Sequence, residues 1–188
     1  MQLPKPPTPG NVLILFVEYN VGIPSIPTTP GWVADASSNI YTRVLHHVVA
    51  SGESNSYTIN IGGAGGWAEG YIAAEVAGVD AASPVNATSM ISVPAGTTSF
   101  AFNAGQAAAG TKPLVFLSAH QTHLKWTSIS AGWTVVVQNH EYTEELAQGP
   151  IQSGTSGFSG AAALSAPSNY TGAADVVLLN APATPLNV

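Results

Sequence analysis

The sequence predicts an all-β sandwich built as one domain, and three observations carry that prediction. Helical periodicity is nearly absent. Short runs rich in Val, Ile, Thr, Tyr and Phe recur between clusters of Gly, Pro, Asn and Ser, the punctuation of a sandwich or barrel. The 188 residues suffice for one domain with a real core and are too few for two of average size.

Taken in order, the chain starts with a Pro-rich extended arm, residues 1–10, in which Pro4, Pro6, Pro7 and Pro9 fix φ and bar a helix. A single domain, 11–188, follows. Its expected strands are Asn11–Tyr19, Ile40–Val49, Ser56–Ile61, Ala68–Ala77, Thr98–Asn103, Pro113–Ala119, Trp133–His140, Gly157–Leu164 and Ala174–Asn180. Two of them alternate as strands with one buried face do: Phe100 and Phe102 against Ser99 and Ala101, and Trp133, Val135 and Val137 against Thr134, Val136 and Gln138. Val12–Val17 and Val176–Leu179 are apolar on both faces, which predicts central strands covered by the core on one side and by a further layer or subunit on the other. Ala107–Ala109 and Ala161–Ala163 are expected as loop or tightly packed strand, because Gly105, Gly110, Gly157 and Gly160 flank them.

An internal echo points to two similar halves. Val12–Val17 leads to Pro30-Gly31-Trp32 and Tyr41, and Leu114–Leu117 leads to Ala131-Gly132-Trp133 and Tyr142. A later strand completes each half, Tyr71–Val76 in the first and Asp175–Leu179 in the second, with residues 78–110 as the crossover. Halves too small to hide their own apolar faces would close on each other around a shared core. In each Gly-Trp pair, Gly permits a sharp turn and Trp fills the end of the core.

Charge narrows the partners. The chain holds 4 Lys plus Arg and 10 Asp plus Glu, 7% of its residues, where an ordinary domain carries about 25%. Such a surface, made of Ser, Thr, Asn, Gln, Gly, Pro and Ala, suits assembly, since few charges are desolvated when subunits pack; a neutral secreted domain would share it. Lys5, Arg43, Lys112 and Lys125 are scattered through a chain of net charge -6, so nucleic acid is excluded as a partner. No stretch has the apolar run of a signal peptide or a membrane helix. With no Cys, disulfides, thiolate catalysis and Cys-based metal sites are excluded.

Several pieces together resemble β-sandwich domains of bacteriophage virion, decoration and tail proteins: Gly10–Val17, Pro30-Gly31-Trp32, Val49–Glu53 with Tyr57-Thr58, Ala77–Asp80 with Pro84–Ala87, and Gly132-Trp133. The likeness runs from about Pro9 to Pro182 and departs at His46-His47, where such domains more often carry an aromatic residue. It implies a jelly-roll-like antiparallel sandwich with a structural or adhesive role at a virion surface, its partners being a capsid or tail subunit and further copies of itself, with a trimer favoured. The arm would then clasp a neighbour.

The chemistry-bearing residues give no catalytic, cofactor or metal site. His120-x-x-His123 and His140-Glu141 have zinc-ligating types, yet the first pair is expected on a loop, and His46 and His47 should face opposite sides of their strand. Glu141, Glu144 and Glu145 are too close in sequence to be assigned across a glycosidase cleft and are expected on a solvated hairpin. Asp80 is expected to bond its own turn, and Glu53 to organise the loop before Tyr57. Gly62–Gly66 lacks the Lys-Ser/Thr of a phosphate loop, and Gly154–Gly157 lacks the spacing of a nucleophile elbow. Trp67, Trp126, Tyr142 and Tyr170 are the candidate ligand or partner contacts. On loops their rings would stack on a host glycan; the competing expectation, which is favoured, makes them core ends or subunit contacts.

Overall fold

The structure is a computed structural model describing residues 1–19, 29–35, 41–60, 68–121, 123–139, 141, 143–151 and 156–182. Among these, the strands in chain order are β1 (Val12–Tyr19), β2 (Val33–Ala34), β3 (Thr42–Val48), β4 (Ala68–Val76), β5 (Val85–Val93), β6 (Ser99–Ala107), β7 (Lys112–Ser118), β8 (Trp126–Ile129), β9 (Thr134–Asn139), β10 (Glu144–Gln148), β11 (Ser156–Leu164) and β12 (Gly172–Leu179). They form three antiparallel sheets, ordered β2-β3-β1-β4, β5-β12-β7-β10-β9 and β6-β11-β8. The predicted all-β sandwich is therefore what the chain adopts, with the second sheet in the middle.

Two cores follow from that stacking. Val12, Ile14 and Phe16 of β1 meet Leu114 and Phe116 of β7, Leu146 of β10, and Val177 and Leu179 of β12 between the first and second sheets. Val115, Leu117, Val176 and Leu178, the alternate residues of β7 and β12, meet Phe100, Phe102, Phe158 and Trp126 of the third sheet. This is why β12 is apolar on both faces: each face has its own layer. The outer face of β1, with Leu15, Val17 and Tyr19, is covered by the chain itself through Met1, Trp32 and Ile59.

The duplication expected from sequence appears as topology. The order β2-β3-β1-β4 of the first sheet is repeated as β9-β10-β7-β12 in the second, with β5 added beyond β12. Phe16 lies opposite Val44 and Ile72, and Phe116 opposite Leu146 and Asp175. These two equivalent rings stack at 5.0 Å across the shared core. Both Gly-Trp turns also match: Trp32 N–H donates to Thr29 O at 3.0 Å and Trp133 N–H to Ser130 O at 3.2 Å. Gly31 (φ 80°) and Gly132 (φ 89°) sit in the left-handed region at the third position of each turn, where a side chain would be strained.

Several expectations need correction. Ser56–Ile61 is no strand among its described residues, Ser56 making only an isolated bridge to Gln2, and Ile40, Ile61 and His140 lie outside the described residues. β5, within the supposed crossover, and the short β2, β8 and β10 carry too little apolar alternation to announce themselves. The alternation at β9 marks no buried face beyond Trp133, since Val135, Val136 and Val137 are all exposed on this edge strand. At Phe100 and Phe102 it holds.

The arm is extended, but among its described contacts it lies on its own domain. Met1 N–H donates to Tyr57 O at 2.8 Å, Leu3 N–H to Asn55 O at 2.8 Å, and Thr8 N–H to the Glu75 carboxylate at 2.8 Å. Pro7 is buried, whereas Pro4, Pro6 and Pro9 are exposed. Removing the arm would therefore take Met1 off the outer face of β1.

Candidate functional site

Polar side chains gather at one end of the shared core. β1 lies over β7 in the same direction, so the apolar ladder that stacks Phe16 on Phe116 continues to Glu18 and Ser118. Alternation brings Thr42 of β3, Glu144 of β10 and Asp175 of β12 to the same interlayer, and all five are buried. The Ser118 hydroxyl donates to the Glu18 carboxylate, and Asn139 Nδ2 donates to Glu144 at 3.0 Å. Gly70 of β4 has room only for hydrogen, because a Cβ there would run into the Glu144 carboxyl group.

Asp175 is an acid whose titration this burial shifts. Complete burial pushes its pKa up to about 7, the nearby Glu18 charge adds to the rise, and the Thr42 hydroxyl and Arg43 only partly oppose it. Burial also lowers the pKa of Arg43, against the pull of Tyr19 and Asp175, and raises that of Tyr19 to about 12.

A cleft opens above this cluster. It measures about 350 Å3 and is lined by Tyr41, Ala95, His120, Asn169, Tyr170 and Thr171. His120 stands at its base with Nδ1 3.3 Å from Glu18 Oε1, and its ring meets Tyr41 at 5.1 Å and Tyr170 at 5.8 Å. Three non-glycine residues with left-handed backbones sit at this end: His120 (φ 48°), His123 (φ 66°) and Thr143 (φ 55°). Tertiary bonds hold the last of them, since Thr143 O accepts from Trp126 Nε1 at 3.1 Å and from Ala119 N–H at 3.3 Å. Such a cleft, with one open aromatic face and polar walls, can receive a small neutral polar ligand.

Of the candidate contacts, Tyr170 is on the cleft and 55% exposed. Trp126 follows the favoured expectation of a core end and not that of a ligand contact: it is a core residue of β8, 5% exposed, with its ring edge-on to Phe100. Trp67 and Tyr142 lie outside the described residues, as do Gly62–Gly66. Glu144 and Glu145 are corrected, being fully buried on β10, while Glu141 is exposed. Gln138 and Asn139 of β9 supply the amides that allow those two carboxylates to be buried.

The expectations for Asp80, Glu53 and the His46-His47 pair hold. Asp80 accepts from Ala82 N–H at 2.9 Å. Glu53 accepts from Ala50 N–H at 2.7 Å, from the Tyr57 hydroxyl at 2.7 Å and from His47 Nε2 at 2.8 Å. Its partial burial raises its pKa, but these donors win and hold the carboxyl below its usual value. The hydroxyl of Tyr57 is correspondingly raised, by burial first and by its bond to Glu53 second. His46 and His47 face opposite sides, the first on Asp35 at 3.0 Å, the second stacked on Trp32 at 5.2 Å. Among the described residues, no group of three or more His, Asp or Glu is placed to hold a metal ion.

Glu18 and Asp175 escaped the sequence reading as site residues. The signal for them was a single acid within a run otherwise apolar on both faces, Val12–Tyr19 and Ala173–Leu179. No family model matches the chain, and neither a curated protein nor a solved structure matches it.

Proposed function

We propose that this chain is a structural module of a virus particle, a capsid-decoration or tail-associated protein of the jelly-roll-like kind it resembles, acting by protein–protein contact and without catalysis. The observation that carries this reading is the flank where β8 and β9 lie side by side. Thr127, Ser128, Thr134, Val135 and Val137 are exposed there, and neither strand bears a charge. An uncharged strand edge with protruding valines is a surface that binds another protein with little desolvation cost. Light scattering coupled to size exclusion should give a closed oligomer, with a trimer expected, and V135E/V137E should reduce it to a monomer. A wild-type protein monomeric at roughly 100 μM, a concentration at which even weak micromolar contacts fill, would overturn self-assembly.

A second reading rests on Tyr170. Its exposed ring beside Asn169, Thr171 and His120 offers a stacking face and hydrogen-bonding groups for a sugar of a host glycan. A glycan screen checks it: binding should be lost in Y170A and unchanged in V135E/V137E, and an empty screen would remove this reading.

A further inference from the structure

The cover over the outer face of β1 is fastened through one side chain. Trp32, with Met1 and Ile59, packs against Leu15, Val17, Tyr19 and Leu45. His47 of β3 stands between the turn that carries Trp32 and the loop 50–57, its side chain 11% exposed. Its Nδ1 is 2.6 Å from Gly31 O, and its Nε2 is 2.8 Å from the Glu53 carboxylate. Trp32 stacks on the same ring at 5.2 Å, 21° from parallel. A Cβ at Gly31 would come within 3.2 Å of the imidazole, so the glycine that makes the turn also lets the ring approach. The arm is tied to the same loop, Met1 N–H donating to Tyr57 O and Leu3 N–H to Asn55 O.

Both polar neighbours of this imidazole are acceptors. Gly31 O has no proton to give. Glu53 has none either: burial raises its pKa, but the Ala50 N–H and the Tyr57 hydroxyl donate to its two oxygens and hold it ionised. Tyr57 keeps its own proton, because burial first and the bond to Glu53 second raise its pKa. Glu75, the further charge that Tyr57 feels, is bound by Thr8 and Asn11 and feels Lys5. Across the sheet His47 lies opposite Leu13, and Asp35 is bonded to His46 on the other face of β3. A neutral imidazole has one N–H and one lone pair, so it can bond Gly31 or Glu53 but not both. The imidazolium donates to both, and its charge lies against the face of Trp32.

We propose that His47 is a pH-sensitive latch: as imidazolium it bonds the Gly31-Trp32 turn to Glu53 and holds Trp32 over β1, and when it loses a proton one of the two bonds breaks and that cover loosens. The latch is closed in acid and opens as the pH rises, because the closed form is the one that binds the proton. It is independent of the assembly proposed for the flank of β8 and β9. The second half is built without it. Val44 lies opposite Phe16 and Leu146 opposite Phe116, so His47 corresponds to Gly149, three residues further on in each case. Gly149 has no side chain to titrate, and a Cβ there would lie 3.0 Å from the Trp133 ring.

The repeat supplies an internal control for the test. Trp32 N–H and Trp133 N–H make the same turn bond, to Thr29 O and Ser130 O, so the ratio of their amide exchange rates cancels the base catalysis common to both. In the wild type that ratio should rise by about tenfold or more between about pH 5 and 8, where histidine changes charge, the effect of losing one charge-assisted hydrogen bond. In H47Q it should stay constant, since a glutamine donates and accepts at any pH. A constant ratio in the wild type, or an equal rise in H47Q, overturns the proposal. E53Q gives a second readout that leaves the turn and the ring in place. Its amide can donate to Nε2 of a neutral His47, which keeps its Nδ1–H on Gly31 O, so the rise should vanish there too; a rise that persists in E53Q would also overturn the proposal.

Discussion

Replacing Phe16 by Ala should lower the free energy of unfolding by about 3–5 kcal/mol, the cost of emptying a fully enclosed aromatic site in a core that cannot collapse around it. The ring is fully buried between the first and second sheets, with strand neighbours on both sides and Phe116 stacked on its face at 5.0 Å, 17° from parallel. Phe116→Ala should cost a similar amount, since it occupies the equivalent place in the other half. The double variant should cost less than the sum of the two, by the roughly 0.5–1.5 kcal/mol that an aromatic pair contributes beyond its buried area. Urea unfolding of the four proteins at one pH measures all three terms, provided the slope m stays constant. If each single loss were below about 1 kcal/mol, the value of a peripheral contact, the shared core would not be where the halves close.

That core is also where sequence and structure agree best, and the reason is periodicity. β1, β7 and β12 are runs apolar on both faces, which only a layered interior can hold, and the repeated Gly-Trp turns mark equivalent places in the two halves. Where strands are half polar, the pattern weakens: β5 mixes Asn86, Thr88, Ser89 and Ser92 with its valines, and nothing in one strand reveals that its partner is β12. The third sheet was only partly legible for the same reason, β8 having four residues. Acids misled for a different reason. Glu144-Glu145 look solvated in isolation, and become buried because Gln138 and Asn139 of the adjoining strand bond them and because Gly70, on another sheet, leaves the space. The polar cluster is a product of register between distant strands. Local composition announces only that Glu18 and Asp175 interrupt apolar runs.

Asp175 should make the protein less stable as the pH rises through the weakly acidic range, the reverse of what a salt-bridged carboxylate does. Its pKa is raised from the ordinary 3.8 to about 7 by burial and by Glu18. Between those values the folded chain keeps a proton that the unfolded chain releases, so the native state binds more protons and unfolding becomes easier with increasing pH. The loss begins near pH 4, is complete above pH 7, and at about 1.4 kcal/mol per unit amounts to roughly 4 kcal/mol for a site this enclosed. Asp175→Asn, which keeps the shape and carries no titrating proton, should abolish that slope and be more stable than the wild type at pH 8 by a few kcal/mol, while near pH 3.5 the two should differ little. Glu53 and Glu75 act in the opposite sense. Hydrogen bonds from Ala50 and Tyr57 to the first, and from Thr8 and Asn11 to the second, hold both pKa values below normal, so their contribution is present above about pH 4.5 and is lost as the pH falls further. The wild type should therefore be most stable between about pH 4 and 5, and the Asn variant should stay near its maximum up to neutral pH. Denaturant titrations across pH 3–9 separate the two curves. A wild-type profile flat from pH 4 to 8, or one unchanged by the substitution, would show that Asp175 is ionised in the fold and that Arg43 and Thr42 outweigh its burial.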